Sequence, residues 1–163
     1  MRYYLLAFIL LGRVLAFDAS MTPGMQSLDF TLQDSNGHNR SLHDYTGKII
    51  VLEWRDPRCN YVTKYYSTHK MQDLQKYYQD KYNVIWLTIL LGTDKDVIPS
   101  EATATLLDPA REVTQLYNIT KVPEIVIIDQ SGFIAYVGAV DSVRSYDEQD
   151  VARASMNYIE NAL

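Results

Sequence analysis

The feature that most constrains the fold of this chain is a near-continuous apolar run at residues 49–54. A run of this length, rich in β-branched residues, is typical of a strand, and the lack of polar alternation favours a central strand buried on both faces. Further strands are predicted at residues 84–90 and 124–129. A sheet built around such strands needs helices over its faces, which indicates an α/β fold.

Two helices are predicted after the first of these strands. The first covers residues 60–66. In the second, Met71, Leu74 and Tyr78 recur at helical spacing, and the Ser-Thr pair at residues 67–68 offers cap chemistry at its start. Strand, helix, helix and strand therefore follow one another, which is the alternation expected of an α/β chain.

Shorter elements complete the pattern. The Asn36-Gly37 pair is a strong hairpin signal between strands predicted at residues 28–32 and 40–42. The remaining predicted elements are a strand at residues 105–107, a helix at 112–117, a strand at 133–138 and a helix at 147–162. This order predicts one α/β domain with a central mixed β-sheet, helices on both faces and an N-terminal β-hairpin.

The first residues differ from the rest of the chain. Arg2 precedes an apolar stretch, and small or apolar residues lead up to Ala16, which is the layout of a secretory signal peptide. The stretch is shorter than the roughly 20 residues that span a bilayer. We expect a signal peptide at residues 1–16, a linker at 17–27 and the folded domain at 28–163. The alternatives to export into the periplasm or medium are an uncleaved anchor and a buried N-terminal helix.

Composition excludes several classes of function. The net charge of −5 and the absence of a long run of like charge argue against binding to nucleic acid and against stable membrane association after signal cleavage. His38, His43 and His69 have no ligand spacing with the cysteine, so no metal site is expected. Because the sequence also lacks a glycine-rich phosphate loop, no cofactor is expected.

Cys59 is the single cysteine, and it lies between the strand at residues 49–54 and the helix at residues 60–66. The dipole and the unpaired N–H groups of a helix N-terminus favour a thiolate at such a position. Val62 stands three residues later, so a C-x-x-C disulfide cannot form. A thiolate here can attack a disulfide or a peroxide, and an external thiol must then release the adduct.

Three cationic residues stand close to Cys59 in the sequence. Arg55, Arg58 and Lys64 bring positive charge that would favour the thiolate. The alternative is a buried structural cysteine, because free cysteine is among the most buried residue types. The polar and basic turn favours the reactive thiol.

Several short motifs occur in an order that resembles a known family. They are VLEW at residues 51–54, CNYVTKYY at 59–66, VPE at 122–124 and GFIAYVG at 132–138. Together they resemble thioredoxin-fold redoxins, the superfamily that includes alkyl hydroperoxide reductase and thiol-specific antioxidant (AhpC/TSA) proteins, and within it an exported single-cysteine subgroup. The resemblance runs from about residue 28 to the final helix and implies a thioredoxin-like fold.

The resemblance implies roles for residues on both sides of the site. The bond before Pro123 is expected to be cis, with Pro123 facing Cys59. Glu53 is expected to be a buried proton acceptor beneath the thiol, with pairing to a nearby cation as an equal alternative. The residues predicted to line a substrate groove are Trp54, Tyr61, Val122 and Pro123. Core packing is the alternative role for the two aromatic residues.

The chain also departs from the patterns of its relatives. Asn60 replaces the usual proline after the cysteine, and Val62 replaces the second cysteine of C-x-x-C. Relatives often carry another cysteine in a C-terminal tail, which this sequence lacks. Leu52 and Asp56 occupy the positions of the proline and the threonine or serine of the peroxiredoxin motif. The standard peroxidase mechanism is therefore disfavoured.

Two functions remain as alternatives. The first is an exported oxidoreductase or antioxidant that acts on disulfides or peroxides through Cys59, with an external thiol reductant or a disulfide-bearing protein as its partner. The second is a non-catalytic thioredoxin-fold binding module with a decayed active site. A dimer linked by a disulfide through Cys59 is a further expectation.

Overall fold

A computed structural model describes residues 20–143, 145, 147, 149–150 and 157–163 of the chain. The strands are β1 (Thr31–Gln33), β2 (Asn39–Ser41), β3 (Ile50–Arg55), β4 (Ile85–Leu90), β5 (Ala104–Leu107), β6 (Glu124–Ile128) and β7 (Ile134–Gly138). The helices are α1 (Asn60–Ser67), α2 (Lys70–Tyr82), α3 (Glu112–Leu116) and α4 (Asn157–Ala162), with short 3-10 helices at Leu42–Tyr45 and Asp94–Asp96. The expected signal peptide at residues 1–16 and part of the helix expected at 147–162 lie outside the described residues.

β3 is the central strand of a five-stranded mixed sheet with the order β5-β4-β3-β6-β7. It runs parallel to β4 and antiparallel to β6. β4 and β5 are parallel, whereas β6 and β7 form an antiparallel hairpin. Every residue of β3 is buried, so the prediction of a central strand covered on both faces is confirmed. The expected α/β class and mixed sheet are confirmed with it.

Successive residues of β3 face two different cores. Leu52 and Trp54 point to a core shared with α3 and with the segment before the sheet, where Phe30, Val113 and Tyr117 are buried. The alternate residues Val51, Glu53 and Arg55 point to the other face, beneath α1 and α2. The apolar members of α1 and α2 buried on that face are Val62, Tyr65, Tyr66, Met71, Leu74 and Tyr78. The helical spacing in the sequence therefore marks the face of α2 that packs on the sheet.

The expected N-terminal hairpin forms, with shifted boundaries. β1 pairs with β2 in a separate two-stranded sheet, and Gly37 in the turn has φ +85°, which favours glycine. Asp34 fastens this turn, because its side chain accepts hydrogen bonds from the N–H groups of Asn36 and His38 at 2.9 Å. Leu42 was predicted to end the second strand but begins a 3-10 helix, because the Ser41 hydroxyl caps the N–H of His43 at 3.2 Å.

The chain before β2 also pairs with both outer strands of the main sheet. The N–H of Gly24 donates to the carbonyl of Ile134 at 2.8 Å, and the N–H of Ile134 donates to the carbonyl of Met25 at 2.8 Å. On the opposite side, Asp34 forms a β-bridge with Leu106 of β5. Residues 24–27 of the expected linker are thus hydrogen-bonded to the sheet or to its terminal turn.

The junction between α1 and α2 differs from the prediction. Ser67 and Thr68 were expected to cap the start of α2, but their hydroxyls donate to the carbonyl of Lys64 in α1, Thr68 at 2.8 Å. The residue before α2 is His69, which adopts the left-handed conformation with φ 59° and makes no side-chain cap. Both hydroxyls therefore bond to the last turn of α1, and His69 is the N-cap residue of α2.

Candidate active site at the start of helix α1

Cys59 occupies the N-cap position of α1, at the junction that the sequence predicts. Its backbone is extended, with φ −84° and ψ 118°, and its carbonyl accepts hydrogen bonds from the N–H groups of Val62 at 2.9 Å and Thr63 at 3.0 Å. Its own N–H donates to the carbonyl of Asp56 at 2.9 Å. The side chain makes no capping bond and is half-buried. The sulfur is thus held at the surface end of the helix.

The loop before β6 faces the cysteine across the end of the sheet. The thiol of Cys59 donates to the carbonyl of Val122 at 3.6 Å, although the two residues are 63 positions apart. The peptide bond between Val122 and Pro123 is cis, the isomer that the resemblance implies. The structure therefore brings Cys59, Val122 and Pro123 together, as expected.

A cavity of about 550 Å³ extends from this loop along one side of α1. We call it the groove. Its described lining residues are Tyr61, Tyr65, Lys121, Val122, Pro123, Ala139, Val140, Asp141, Ser142, Val143 and Tyr158. Three of the four residues predicted to line a groove, namely Tyr61, Val122 and Pro123, lie in it.

Trp54 is the exception, because the structure places it away from the groove. Its side chain is fully buried in the core on the α3 side of the sheet. There its ring packs on Tyr117, with a centroid distance of 5.3 Å. The groove lies beside α1, which packs on the opposite face. Trp54 therefore has the packing role that the sequence left as an alternative.

Glu53 is fully buried beneath α1 and α2 and is surrounded by hydrogen-bond donors. Its Oε1 accepts from the hydroxyl of Tyr66 at 2.7 Å. Its Oε2 accepts from the indole of Trp86 at 2.8 Å and the amide of Gln75 at 3.0 Å, with the Thr88 hydroxyl at 3.4 Å. Burial, and then the charge of Glu53, raises the pKa of Tyr66 well above its usual value, so the phenol remains a donor.

These contacts decide between the two expected environments of Glu53. Within the described part of the chain, no basic side chain lies within ion-pair distance of its carboxyl group. The buried carboxyl is held by uncharged donors, and pairing with a nearby cation is not observed. Its role as a proton acceptor stays a proposal.

The two arginines that flank the thiol in the sequence contact other groups. Arg58 is exposed and forms a salt bridge with Asp56 at 2.7 Å. Arg55 is fully buried, with its guanidinium 4.7 Å from the centre of the Tyr66 ring and Nη2 donating to the carbonyl of Ile98 at 3.2 Å. Since both side chains are engaged elsewhere, nearness in sequence does not make them partners of the thiol.

Lys64 is also buried, but on the groove side of α1. Its ammonium donates to the carbonyls of Val143 at 3.2 Å and Ser145 at 2.6 Å. It also lies over the rings of Tyr61 and Tyr65, at 4.9 and 4.8 Å. Burial lowers the pKa of Lys64. Lys64 thus ties the segment after β7 to α1 and holds one wall of the groove.

Sequence reasoning missed Asp141, which lies in the same wall. Its Oδ1 accepts from the hydroxyl of Tyr65 at 2.7 Å and from the N–H of Val143 at 2.8 Å. Tyr65 and Asp141 are 76 positions apart, and no motif or spacing in the sequence links them. Only the fold brings this carboxylate to the groove.

The described residues contain no cluster of three or more His, Cys, Asp or Glu side chains that could hold a metal ion. In the same part of the chain, none of the helices has the length and apolar character needed to cross a membrane.

Comparison with known proteins identifies the class to which this fold and site belong. The sequence model of the AhpC/TSA family matches residues 23–137, and the chain belongs to that family. A thioredoxin-like protein of Bacillus subtilis, YneN, is 27% identical over 123 residues, which cover 72% of this chain and 71% of the relative.

Solved structures share the fold at lower identity. A Chlorobium tepidum protein, provisionally assigned as the thiol:disulfide interchange protein DsbE, is 21% identical with a TM-score of 0.68, covering 88% of this chain and 99% of that one. The exposed lipoprotein thioredoxin Etrx1 of Streptococcus pneumoniae is 19% identical with a TM-score of 0.56, covering 77% and 97%. These similarities confirm the thioredoxin-like fold.

Proposed function

We propose that the protein is an exported thiol oxidoreductase that acts on disulfides through Cys59. The observation that carries this proposal is the position of the sulfur. It lies half-buried at the start of α1, 3.6 Å from the Val122 carbonyl, and that carbonyl belongs to a loop that lines the open groove. A disulfide-bearing segment lying in the groove would present its sulfur atoms to this thiol.

The reaction consists of two exchanges because the chain has one cysteine. The Cys59 thiolate attacks one sulfur of the substrate disulfide, forming a mixed disulfide and releasing the other substrate sulfur as a thiolate. An external thiolate then attacks the mixed disulfide, which regenerates Cys59 and leaves the external sulfur bonded to the substrate. Cys59 is thus the attacking group in the first exchange and the leaving group in the second.

The comparisons support a disulfide rather than a peroxide as the substrate. Family membership covers both chemistries, but the Chlorobium tepidum relative is described as a thiol:disulfide interchange protein. Leu52 and Asp56 stand where the peroxiredoxin motif has its proline and hydroxyl residue. Glu53, buried among four donors, is proposed as a proton acceptor for the exchange.

Export and association complete the proposal. The layout of residues 1–16 supports a cleaved signal peptide, followed by a linker, whose residues 24–27 pair with the sheet and its terminal turn, and a domain at residues 28–163. An oxidising compartment permits a disulfide between two Cys59 side chains, so a linked dimer is proposed as a resting form. Electrophoresis with and without reductant tests the dimer, and N-terminal sequencing of the exported protein tests the cleavage.

Turnover of a peptide disulfide, with glutathione as the external thiol, tests the enzymatic proposal. We expect Cys59→Ser to abolish turnover while the far-UV circular dichroism and the urea midpoint stay close to those of the wild type, because the half-buried side chain keeps its shape. Wild-type protein alkylated before the assay is the matched control, since it is modified at the same single sulfur. Equal turnover in the serine variant would exclude Cys59 as the nucleophile.

A second candidate is a non-catalytic binding module. The observation that favours it is that Arg55, Arg58 and Lys64 all contact groups other than the thiol. It predicts no turnover of disulfide or peroxide, and alkylation of Cys59 with the pH dependence of an ordinary thiol, which becomes fast only at about pH 8.5 and above. Rapid alkylation together with turnover would exclude it.

A further inference from the structure

Asp141 has a carboxylate oxygen for which the described part of the chain supplies no donor. The residue is 6% exposed, and its Oδ1 is fully engaged by Tyr65 and Val143. Its Oδ2 is buried and has no hydrogen-bond partner. A buried acceptor left without a partner costs about 1–3 kcal/mol, and more when it is charged. Asp141 is one of the residues that line the groove, so a ligand that brings a donor to this oxygen would offset that cost.

The nearby cations of the chain are engaged by other groups. Lys64 donates to the carbonyls of Val143 and Ser145, and it lies outside ion-pair distance of Asp141. Lys121, on the groove rim, is 66% exposed and lies 3.8 Å from Glu124. Neither ammonium supplies a hydrogen bond to Asp141 Oδ2.

The groove has the size and the walls for a long cationic side chain. Its volume of about 550 Å³ falls within the range of roughly 300–1,000 Å³ of ligand sites. Tyr61 and Tyr158 line it together with Asp141. The ring of Tyr61 already faces the Lys64 ammonium, whereas the exposed ring of Tyr158 can attract the charged head of a further lysine or arginine. The net charge of −5 adds a long-range attraction for a basic partner.

We propose that the groove binds a lysine or arginine side chain of a disulfide-bearing polypeptide, whose cationic head donates to Asp141 Oδ2. This inference rests on the proposed function, because it assigns the substrate class of the same site. The peptide chain passes the Val122 carbonyl beside Cys59, and the basic side chain enters the groove. Asp141 is then a specificity-determining residue, and Cys59 carries the chemistry alone.

Three peptide disulfides that differ only in one residue near the cysteine, arginine, methionine or glutamate, test this inference in the full-length protein. We expect kcat/KM to be about tenfold higher for the arginine than for the methionine peptide, and lowest for the glutamate peptide, since a hydrogen bond to a charged group contributes about that factor. In Asp141→Asn, whose side chain has the same shape, the ratio of arginine to methionine should fall to about one.

A second variant keeps the test decisive if Asp141→Asn does not fold. Lys121→Gln removes an exposed positive charge from the groove rim, and it should raise the ratio of arginine to methionine above the wild-type value. Equal kcat/KM for the three peptides, or an unchanged ratio in both variants, would overturn the inference and leave the proposed function standing. No turnover of any peptide would overturn the proposed function, and the inference with it.

Discussion

We expect Glu53→Gln and Glu53→Leu to destabilise the protein by different amounts. Glutamine keeps one acceptor oxygen for Trp86 and Gln75, and its amino group can donate to Tyr66, whose hydroxyl is able to turn and accept. The main loss is the extra strength of hydrogen bonds to a charged acceptor, about 1–2 kcal/mol in the free energy of unfolding.

Leucine removes both acceptor oxygens at once. The buried donors of Tyr66, Gln75 and Trp86 then each lose an acceptor. Gln75 stays bonded to the Tyr66 hydroxyl at 3.1 Å, so the donors of Tyr66 and Trp86 are orphaned, and at about 1–3 kcal/mol for each the loss sums to about 2–6 kcal/mol. The gap between the two variants is therefore expected to be about 1–4 kcal/mol.

Urea unfolding at neutral pH, followed by circular dichroism, measures both values. Glu101→Gln is the matched control, because Glu101 is exposed and its change should stay within about 0.5 kcal/mol of the wild type. If the leucine variant were within about 1 kcal/mol of the glutamine variant, the three donors would have other acceptors. The account of how Glu53 is held would then be wrong.

Three further perturbations test other parts of the structure. The free energy of unfolding should fall as the pH rises above about 10, because burial raises the pKa of Tyr65, Tyr66 and Tyr117 while the unfolded phenols ionise near 10.0. Urea midpoints at about pH 9 and pH 11 measure this decrease, and the decrease should be smaller in Tyr65→Phe. Trp54→Phe should lower the free energy of unfolding by about 1–3 kcal/mol without changing KM, since Trp54 lies in the core, and a raised KM would return it to the groove. Lys64→Met removes the hydrogen bonds that attach the groove wall at Val143 and Ser145 to α1, and it should raise KM for peptide disulfides severalfold. An unchanged KM would mean that this wall keeps its position without Lys64.

The buried strands could be predicted because burial leaves a direct mark on composition. β3 is covered on both faces, and its near-continuous run of apolar residues in the sequence indicates this burial. Cys59 was equally accessible to prediction, since the end of such a strand and the start of a helix fix the place of the turn. The elements and the position of Cys59 are local features of the chain.

The faces of β3 could not be predicted from the same run. Side chains alternate across a strand, so Glu53 and Trp54 must lie on opposite faces. When both faces are apolar, however, no pattern shows which face carries α1 and the groove. The prediction that Trp54 lines the groove failed for this reason.

The contacts of Lys64 and Asp141 lay beyond prediction for a different reason. Each depends on the path of the segment after β7, which brings Val143 and Asp141 to α1 across 76 or more positions of sequence. A charge near Cys59 in the sequence can turn away from it once the helix forms. Distance along the chain is therefore a poor guide to electrostatics at a helix start.

The pairing of the early chain with both outer strands has a consequence for the behaviour of the protein in solution. An open sheet edge is a row of unpaired N–H and C=O groups onto which another chain can add as a strand. Residues 24–27 occupy part of this row on β7 and its turn, and the bridge between Asp34 and Leu106 occupies part of it on β5. The chain between residues 24 and 34 thus covers part of both sheet edges. Proteolysis within it would expose the backbone N–H and C=O groups of β5 and β7 to pairing with another molecule.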